Sequence, residues 1–458
     1  MIRLFNAYFP TRTLLLTITE AILVTLGFVV AVVFWAGTTV DWIDLLYNNG
    51  LGRILLVVAV FVVLMYYFDL YNSFILANRR EVVTRLVGVL GSAFVALAVL
   101  YYAFPEISLN QRSLWVGVLI AAIAVPLWRR LFSLLNRSAR FSERAILYGD
   151  GPLATALMHE VTNRTELGVK IVGFVGKDTA TVPGIPLLDG DLDELVKREN
   201  VQRVLVTMAD RRGRLPVEQL LRLKTSGIYI QDGPEYYENV TGKIPLDSLR
   251  LSWLLFSTGF HVRAALQLYK RLFSLIFGSL AIVVTSPVML LAAIAVRLDS
   301  PGPALFRQKR VGEHGQMFEI YKFRSMYDGS DKKDLTPAEH DDARITRVGK
   351  WLRRTRIDEL PQLFNIVKGD MSFVGPRPFV PEQEMEYAEK IPFYKERWLV
   401  KPGATGWAQI NRGYNVTLED NRDKLAYDLF YIKNVSFGLD LYIMFATIKI
   451  LVLGRGGR

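Results

Sequence analysis

Apolar positions along this chain gather into long runs in its first third and again near residue 280, and into short strands and amphiphilic stretches elsewhere. Residues 13–35 are apolar apart from threonines and Glu20, and about 20 such residues cross a bilayer as a helix. Residues 54–68, 82–104 and 114–128 make three more candidate spans. Residues 145–148, 169–175, 201–206 and 228–231 then read as short buried strands alternating with helical stretches at 152–163, 191–199 and 216–225. That alternation predicts a small parallel α/β domain. Residues 272–296 form a fifth long apolar run. Beyond it the chain is amphiphilic. Phe393, Tyr394 and Trp398, interleaved with Lys395, Arg397 and Lys401, suit an interfacial helix. Residues 437–453, interrupted by Asp440 and Lys449, read as a helix lying against the membrane or against the fifth run.

Charge orients these runs. Arg3 and Arg12 precede the first, and Arg79, Arg80 and Arg85 lie between the second and third. Arg129, Arg130, Arg137, Arg140 and Arg144 follow the fourth, whereas the other two loops carry Asp41, Asp44 and Glu106 against only Arg53 and Arg112. The positive-inside rule puts both ends of this region in the cytoplasm. Glu20, near the end of its run, reads as reaching the membrane interface. The fifth run has Lys270 and Arg271 before it and Arg297, Arg307, Lys309 and Arg310 after it. A straight crossing would put one basic flank outside. A hairpin that enters and returns, broken at Ser286-Pro287, satisfies both flanks, with Thr285 or Ser286 bonding the carbonyl that proline frees. No cleavable signal pattern follows the first run.

The chain has 458 residues, room for about three units, and a net charge of +11 with apolar runs, which together suit the cytoplasmic face of a membrane. A nucleic-acid partner would explain the charge but not the apolar runs. Without cysteine, disulfides, iron–sulfur clusters and thiolate chemistry are excluded, and the four histidines form no H-E-x-x-H pair. After the first strand comes Gly149-Asp150-Gly151-Pro152-Leu153-Ala154, a G-x-G-x-x-A turn. It permits a nucleotide or only a tight turn. Because Gly176-Lys177-Asp178 is only loosely placed as an acidic end to the second strand, the empty or regulatory reading is preferred.

Residues 347–378 carry the densest chemistry. Pro361 suits the first turn of a helix, and Gly369 its stop. Asp358 and Glu359 then sit just before or at a helix N-terminus, where both should stay ionised. Arg353, Arg354 and Arg356 precede them and Arg377 follows in a Gly-Pro-Arg-Pro turn. Carboxylates among guanidiniums suggest chemistry on phosphates; the competing reading is a solvated, salt-bridged surface helix. The acids of residues 328–342, among them Asp331, Asp334, Glu339, Asp341 and Asp342, read as loop solvation.

Asp358-Glu359-Leu360-Pro361-Gln362, Gly369-Asp370-Met371-Ser372 and Val374-Gly375-Pro376-Arg377-Pro378 resemble the bacterial sugar transferase family of polyprenyl-phosphate glycosyl-1-phosphate transferases. So do Ser300-Pro301-Gly302-Pro303, Phe306-Arg307-Gln308, Arg310, Gly312, Lys322-Phe323-Arg324-Ser325-Met326, Lys401-Pro402-Gly403, Thr405-Gly406-Trp407-Ala408-Gln409 and Asn411. The resemblance covers about residue 264 to the end. It implies a multidomain membrane protein: a four-helix transmembrane bundle (1–140), a small Rossmann-like, CoA-binding-type parallel α/β domain (141–245), a linker (246–263), and a membrane-embedded, α-rich catalytic domain (264–458) with a re-entrant helix hairpin at about 271–297. It implies transfer of a hexose-1-phosphate from a UDP-sugar to undecaprenyl phosphate, releasing UMP, at the start of exopolysaccharide, capsule or O-antigen synthesis. Asp358 matches the family nucleophile and Glu359 the holder of Mg²⁺. Lys322, Arg324, Arg377, Arg307 and Arg310 match phosphate- or nucleotide-binding cations, and Asp440 a late family acid. The expected place is the bacterial inner membrane, with the catalytic domain beginning near His261, on the cytoplasmic face, and a homo-oligomer, a dimer first. A nucleotide-sugar dehydratase would need a Y-x-x-x-K pair, which the chain lacks; a non-enzymatic membrane sensor or scaffold would not need Asp358-Glu359.

Overall fold

A computed structural model describes residues 2–4, 6–36, 49–71, 79–137, 142–176, 184–208, 215–249, 259–260, 264–329, 342–412 and 417–452. Asp41, Asp44, Arg140, Lys177, Asp178, the acids Asp331, Asp334, Glu339 and Asp341, and most of the expected linker lie outside the described residues. The chain divides into two compact units, residues 9–233 with 1–2, and residues 234–458 with 3–8.

The first unit opens with four long helices, α1 (Thr11–Ala36), α2 (Gly50–Tyr67), α3 (Arg79–Ala103) and α4 (Gln111–Arg137). With the helix Ala264–Asp299 of the second unit they make, among the described residues, five helices long and apolar enough to cross a membrane: a polytopic membrane protein. In lipid the backbone must satisfy itself, which a helix does. Thr17 and Thr25 turn their hydroxyls back onto the carbonyls of Thr13 and Ala21, at 3.0 and 2.7 Å. Val24 and Phe28 of α1, Val57 and Phe61 of α2, Val89 and Ala93 of α3, and Ala121 and Val125 of α4 share one core.

Glu20 does not reach an interface. It is 0% exposed, and the Arg129 Nε and Nη2 atoms donate to its two oxygens at 2.5 and 2.8 Å. Arg129 Nη1 also donates to the Leu70 carbonyl at 2.8 Å. A two-pronged pair with a further donor on a backbone carbonyl lets a charge stay inside instead of snorkelling. The partner lies 109 residues away in sequence, beyond any local pattern.

The α/β part of this unit has four parallel strands, β3 (Glu143–Tyr148), β4 (Val169–Val175), β5 (Arg203–Val206) and β6 (Tyr229–Asp232), in the order β4-β3-β5-β6. The helices α5 (Pro152–Asn163), α6 (Leu192–Arg198) and α7 (Val217–Thr225) alternate with them. The turn into α5 runs through Gly151 at φ 104°, a conformation open to glycine.

In the second unit, α8 (Gly233–Thr241, its first residue in the other unit) and the residues after it are tied to residues 407–433. Glu238 pairs with Lys433 at 2.6 Å, Lys243 with Asp423 at 2.7 Å, and Trp407 Nε1 donates to the Gly242 carbonyl at 2.8 Å. The short N-terminal strands β1 (Ile2–Leu4) and β2 (Ala7–Phe9) flank Asn6, whose side chain, like that of Arg3, bonds Asn434 at 3.1 Å.

The long α9 (Ala264–Asp299) continues through Ser286 and Pro287, so no break in helical structure occurs where one was expected. The reason is local. Pro287 leaves the Val283 carbonyl without its N–H donor, and the Ser286 hydroxyl donates to that carbonyl at 2.7 Å. After α9 comes a hairpin of antiparallel strands, β7 (Leu305–Val311) and β8 (Met317–Phe323). Then follow α10 (Arg347–Thr355), α11 (Gln362–Lys368), β9 (Ser372–Val374) and α12 (Pro381–Lys390). The unit closes with β10 (Gly403–Thr405), parallel to β9, then α13 (Trp407–Asn411), α14 (Leu418–Asn434) and α15 (Phe437–Val452). The first turn of α15 meets the start of α9, with the rings of Phe437 and Tyr269 edge to face at 4.7 Å.

The interfacial helix expected around Phe393–Lys401 is not there. Residues Tyr394–Leu399 form a tight 3₁₀ turn, and both Tyr394 and Arg397 are buried. Arg397 is neutralised by Glu384 of α12 and Asp428 of α14, at 3.1 and 2.9 Å. Without those distant acids its neighbours do read as a basic, aromatic surface stripe.

Candidate active site

Thr346 caps α10 by accepting the Gly349 N–H at 3.0 Å. The helix ends at Arg356, which sits in the left-handed region at φ 59°. A non-glycine residue there is uncommon, and such residues concentrate at functional sites. The chain then makes one 3₁₀ turn, Ile357–Glu359, before Pro361 starts α11 and Gly369, at φ 101°, stops it. The two carboxylates therefore precede α11, as expected. Ile357 and Leu360, on either side of them, pack into a core of Met289, Ala292 and Val296 of α9 with Phe323 and Leu352. That floor fixes the turn.

The carboxylates have different surroundings. Asp358 is 9% exposed, and its Oδ1 is buried with no hydrogen bond among the described residues. Burial, and then the neighbouring Glu359, push its carboxyl up to about 6, against the pull of Lys322, Arg356 and Arg353. The sequence leads one to expect both acids to stay ionised; desolvation outweighs the nearby cations at Asp358, so it ionises only above about pH 6, while Glu359 stays ionised far below that. Burial would push Glu359 up too, but Lys322, Arg377 and Arg356 outweigh it and hold its carboxyl well below the usual range.

Three elements deliver those cations. Lys322 Nζ, from β8, lies 3.1 Å from Glu359 Oε1. The strand is held to α11 by Asn365, which is 0% exposed. Its Oδ1 accepts from Tyr321 N at 3.0 Å and its Nδ2 donates to the Glu319 carbonyl at 2.6 Å, pairing with the strand as a peptide group would. Arg356 Nη1 approaches Oε1 at 3.5 Å. Arg377 Nη2 donates to it at 3.2 Å from the Gly375-Pro-Arg-Pro378 loop. That loop is tightly held. A Cβ on Gly375 or Gly403 would strike the other's backbone. Arg397 Nη2 donates to the Arg377 carbonyl at 2.9 Å, and Glu384 accepts the Phe379 N–H at 3.2 Å.

Other residues singled out from the sequence stand elsewhere. Arg324 is buried against the end of α9, donating to the carbonyls of Ser300 and Pro301 at 2.7 Å each and to Ser300 Oγ at 3.0 Å. Arg307 is exposed, 5.5 Å over the ring of Tyr321. Arg310 donates to the Pro378 carbonyl at 3.2 Å and so braces the Arg377 loop. Asp440 accepts from Tyr431 at 2.7 Å and pairs with Lys270 at 3.0 Å, tying the start of α9 to α14 and α15. Sequence reading missed the roles of Asn365, Glu384, Arg397 and Asp428. Alternation along β7 and β8 was the one available signal for the hairpin that carries Lys322.

Among the described residues no three histidine, aspartate or glutamate side chains cluster as a metal site. Mg²⁺, however, commonly takes one or two carboxylates plus substrate phosphates. Glu359 suits that pattern: Lys322, Arg356 and Arg377 all meet it on Oε1.

Residues 265–454 match the bacterial sugar transferase family, and residues 66–223 match the CoA-binding domain. The UDP-N-acetylgalactosamine-undecaprenyl-phosphate N-acetylgalactosaminephosphotransferase of Aeromonas hydrophila is 42% identical over 222 residues, 48% of this chain and 52% of that protein. The UDP-glucose:undecaprenyl-phosphate glucose-1-phosphate transferase of Xanthomonas campestris pv. campestris is 33% identical over 417 residues, covering 85% of this chain and 84% of its own. The protein of the same description from Klebsiella pneumoniae is 33% identical over 363 residues, 75% and 76% of the two chains. The chain thus spans about half the length of the first relative and most of the other two, and it belongs to the bacterial sugar transferase family, related over most of its length to undecaprenyl-phosphate sugar-1-phosphate transferases.

Proposed function

We propose that this protein transfers a sugar-1-phosphate from a UDP-sugar to undecaprenyl phosphate at the inner membrane and releases UMP. The single observation that carries the reading is Asp358 Oδ1, a buried carboxylate oxygen with no hydrogen bond among the described residues, next to Glu359 and its three cations. An oxygen without donors is a stronger nucleophile than a solvated one. In the first half-reaction Asp358 attacks the β-phosphorus of the UDP-sugar. A P–O bond to Asp358 forms, the P–O bond to the bridging oxygen breaks, and UMP leaves with that electron pair. In the second, an oxygen of undecaprenyl phosphate attacks the phosphorus, forming the lipid diphospho-sugar and returning the carboxylate. Lys322, Arg356 and Arg377 hold the phosphoryl oxygens as charge moves to UMP. Mg²⁺, held by Glu359, supplies further neutralisation of the diphosphate when bound.

The four helices α1–α4 act as a transmembrane bundle with both ends in the cytoplasm, and α9 enters the membrane and returns as a continuous helix bent at Pro287 rather than broken there, keeping the catalytic unit on the cytoplasmic face. Two contacts support the return. At the start of α9, Arg271 donates to the Val367 carbonyl at 2.9 Å. At its end, the Ser300 carbonyl accepts from Arg324, next to β8, which Asn365 ties to α11. Both flanks thus grip one catalytic body.

The test is label exchange. Wild-type protein given labelled UMP and UDP-sugar without lipid should exchange the label, and Asp358→Asn should abolish exchange and turnover. Exchange that strictly needs undecaprenyl phosphate would favour direct attack by the lipid, and near-normal turnover in Asp358→Asn would remove the carboxylate as nucleophile.

A further inference from the structure

Glu359 receives more positive charge than a salt bridge requires. Lys322, Arg377 and Arg356 reach the same Oε1 atom, at 3.1, 3.2 and 3.5 Å, from a strand, a loop and a left-handed turn. Their side chains, and that of Glu359, are between 20% and 29% exposed, so the cluster opens to a ligand. Among the described residues, three cations thus meet on one carboxylate oxygen. A lysine and two arginines converging on one oxygen is the chemistry that recognises a phosphate oxygen.

We propose that Glu359 Oε1 occupies, in the empty enzyme, the place of a diphosphate oxygen of the nucleoside diphosphate sugar. The inference rests on the sugar-phosphate transfer reading above. The glutamate keeps three mutually repelling cations assembled on a single point. An incoming diphosphate takes the cations over, and the carboxylate is displaced. Freed of its cations beside a diphosphate, Glu359 becomes an uncompensated anion, and this is the state in which it accepts a divalent cation. The hand-over therefore makes diphosphate and divalent cation bind each other's complex more tightly than either binds alone. It also gives one residue two successive partners, which explains why a residue matched to metal binding is found here with three cations on one of its oxygens.

The test measures UDP binding to the full-length protein in lipid nanodiscs, in EDTA and at about 0.5 M salt, which screens distant charges. Glu359→Gln should bind UDP about ten-fold more tightly than wild type, because no internal anion competes. Glu319→Gln, which removes an exposed acid from the same strand as Lys322, should leave the affinity unchanged. Adding Lys322→Met to Glu359→Gln should erase the gain. Equal or weaker binding by folded Glu359→Gln overturns the proposal, as does a gain that survives Lys322→Met. Should Glu359→Gln fail to fold, wild-type protein carrying ¹³C-labelled glutamate carboxyls decides. UDP should shift one glutamate carboxylate band in the infrared difference spectrum, and an unshifted spectrum at saturating UDP overturns the proposal. Loss of UMP exchange in wild type would sink the transfer reading itself. Exchange that persists while Glu359→Gln gains nothing sinks only the hand-over.

Discussion

Asp358 and Glu359 are adjacent, chemically alike and electrostatically opposite. Glu359 is held ionised by three cations, while burial lifts its neighbour to about 6 from the ordinary 3.8. Because the folded state binds the Asp358 proton more tightly than the unfolded chain does, this group favours the fold below about pH 4. Its contribution is lost as pH rises through about 6. Above that, its ionisation costs on the order of 2–3 kcal/mol. Two outcomes follow. If Asp358 is the nucleophile proposed above, the kcat/KM for UMP release should rise with pH through about 6 and level off above about 7, since only the carboxylate attacks. Asp358→Asn should melt higher than wild type at about pH 8, with the difference shrinking toward pH 4. A pH-independent rate, or a variant that melts lower at both pH values, would mean that Asp358 is not desolvated in the working enzyme.

Among the elements, α9 raises the sharpest question, because its 36 residues measure about 54 Å, against a hydrocarbon core of about 30 Å. A straight crossing would leave roughly four turns outside lipid, with Arg271 and Arg324 on opposite sides of the membrane from part of the body they hold. Re-entry predicts that both ends face the cytoplasm. The chain has no cysteine, so single cysteines can report cleanly. Placed at Gln267 and at Leu298, which is 83% exposed, both should resist an impermeant external thiol reagent in intact cells and react after permeabilisation. Labelling of one site alone in intact cells would establish a crossing helix. Ser286, which bonds the carbonyl that Pro287 leaves open, is the hydroxyl on which this element depends.

At the scale of the whole molecule, the compact unit that holds the candidate site reaches further back than the motifs. Glu238, Gly242, Lys243 and Ile244 bond Lys433, Trp407, Asp423 and Ala426, all in the segment that carries the motifs. A chain starting at Pro234 should therefore retain more UMP exchange in lipid than one starting at His261. The shorter chain loses a buried pair, Glu238–Lys433, and leaves Asn434 without that carboxylate. Equal activity of the two would make residues 234–260 dispensable to the unit.

Much of this was legible from residue order alone. Apolar run length determined the long helices, because a bilayer demands about 20 consecutive apolar residues whatever they pack against. Alternation determined the parallel sheet, and proline and glycine set the ends of α11 through backbone geometry, at Pro361 and Gly369. The motif blocks carried the family. What residue order left open was every property that depends on a distant partner. Glu20 is buried because Arg129 meets it, and Arg397 is buried because Glu384 and Asp428 do. Arg324 binds the end of α9 while Lys322, two residues earlier, faces Glu359. Both are cations in one motif, and alternation cannot separate them, since residues two apart share a strand face while Arg324 lies just beyond the strand's end. Only the tertiary structure assigned burial and counter-charge, and with them which carboxylate is bare and which is held, because desolvation and Coulomb energy depend on distance in space and not along the chain.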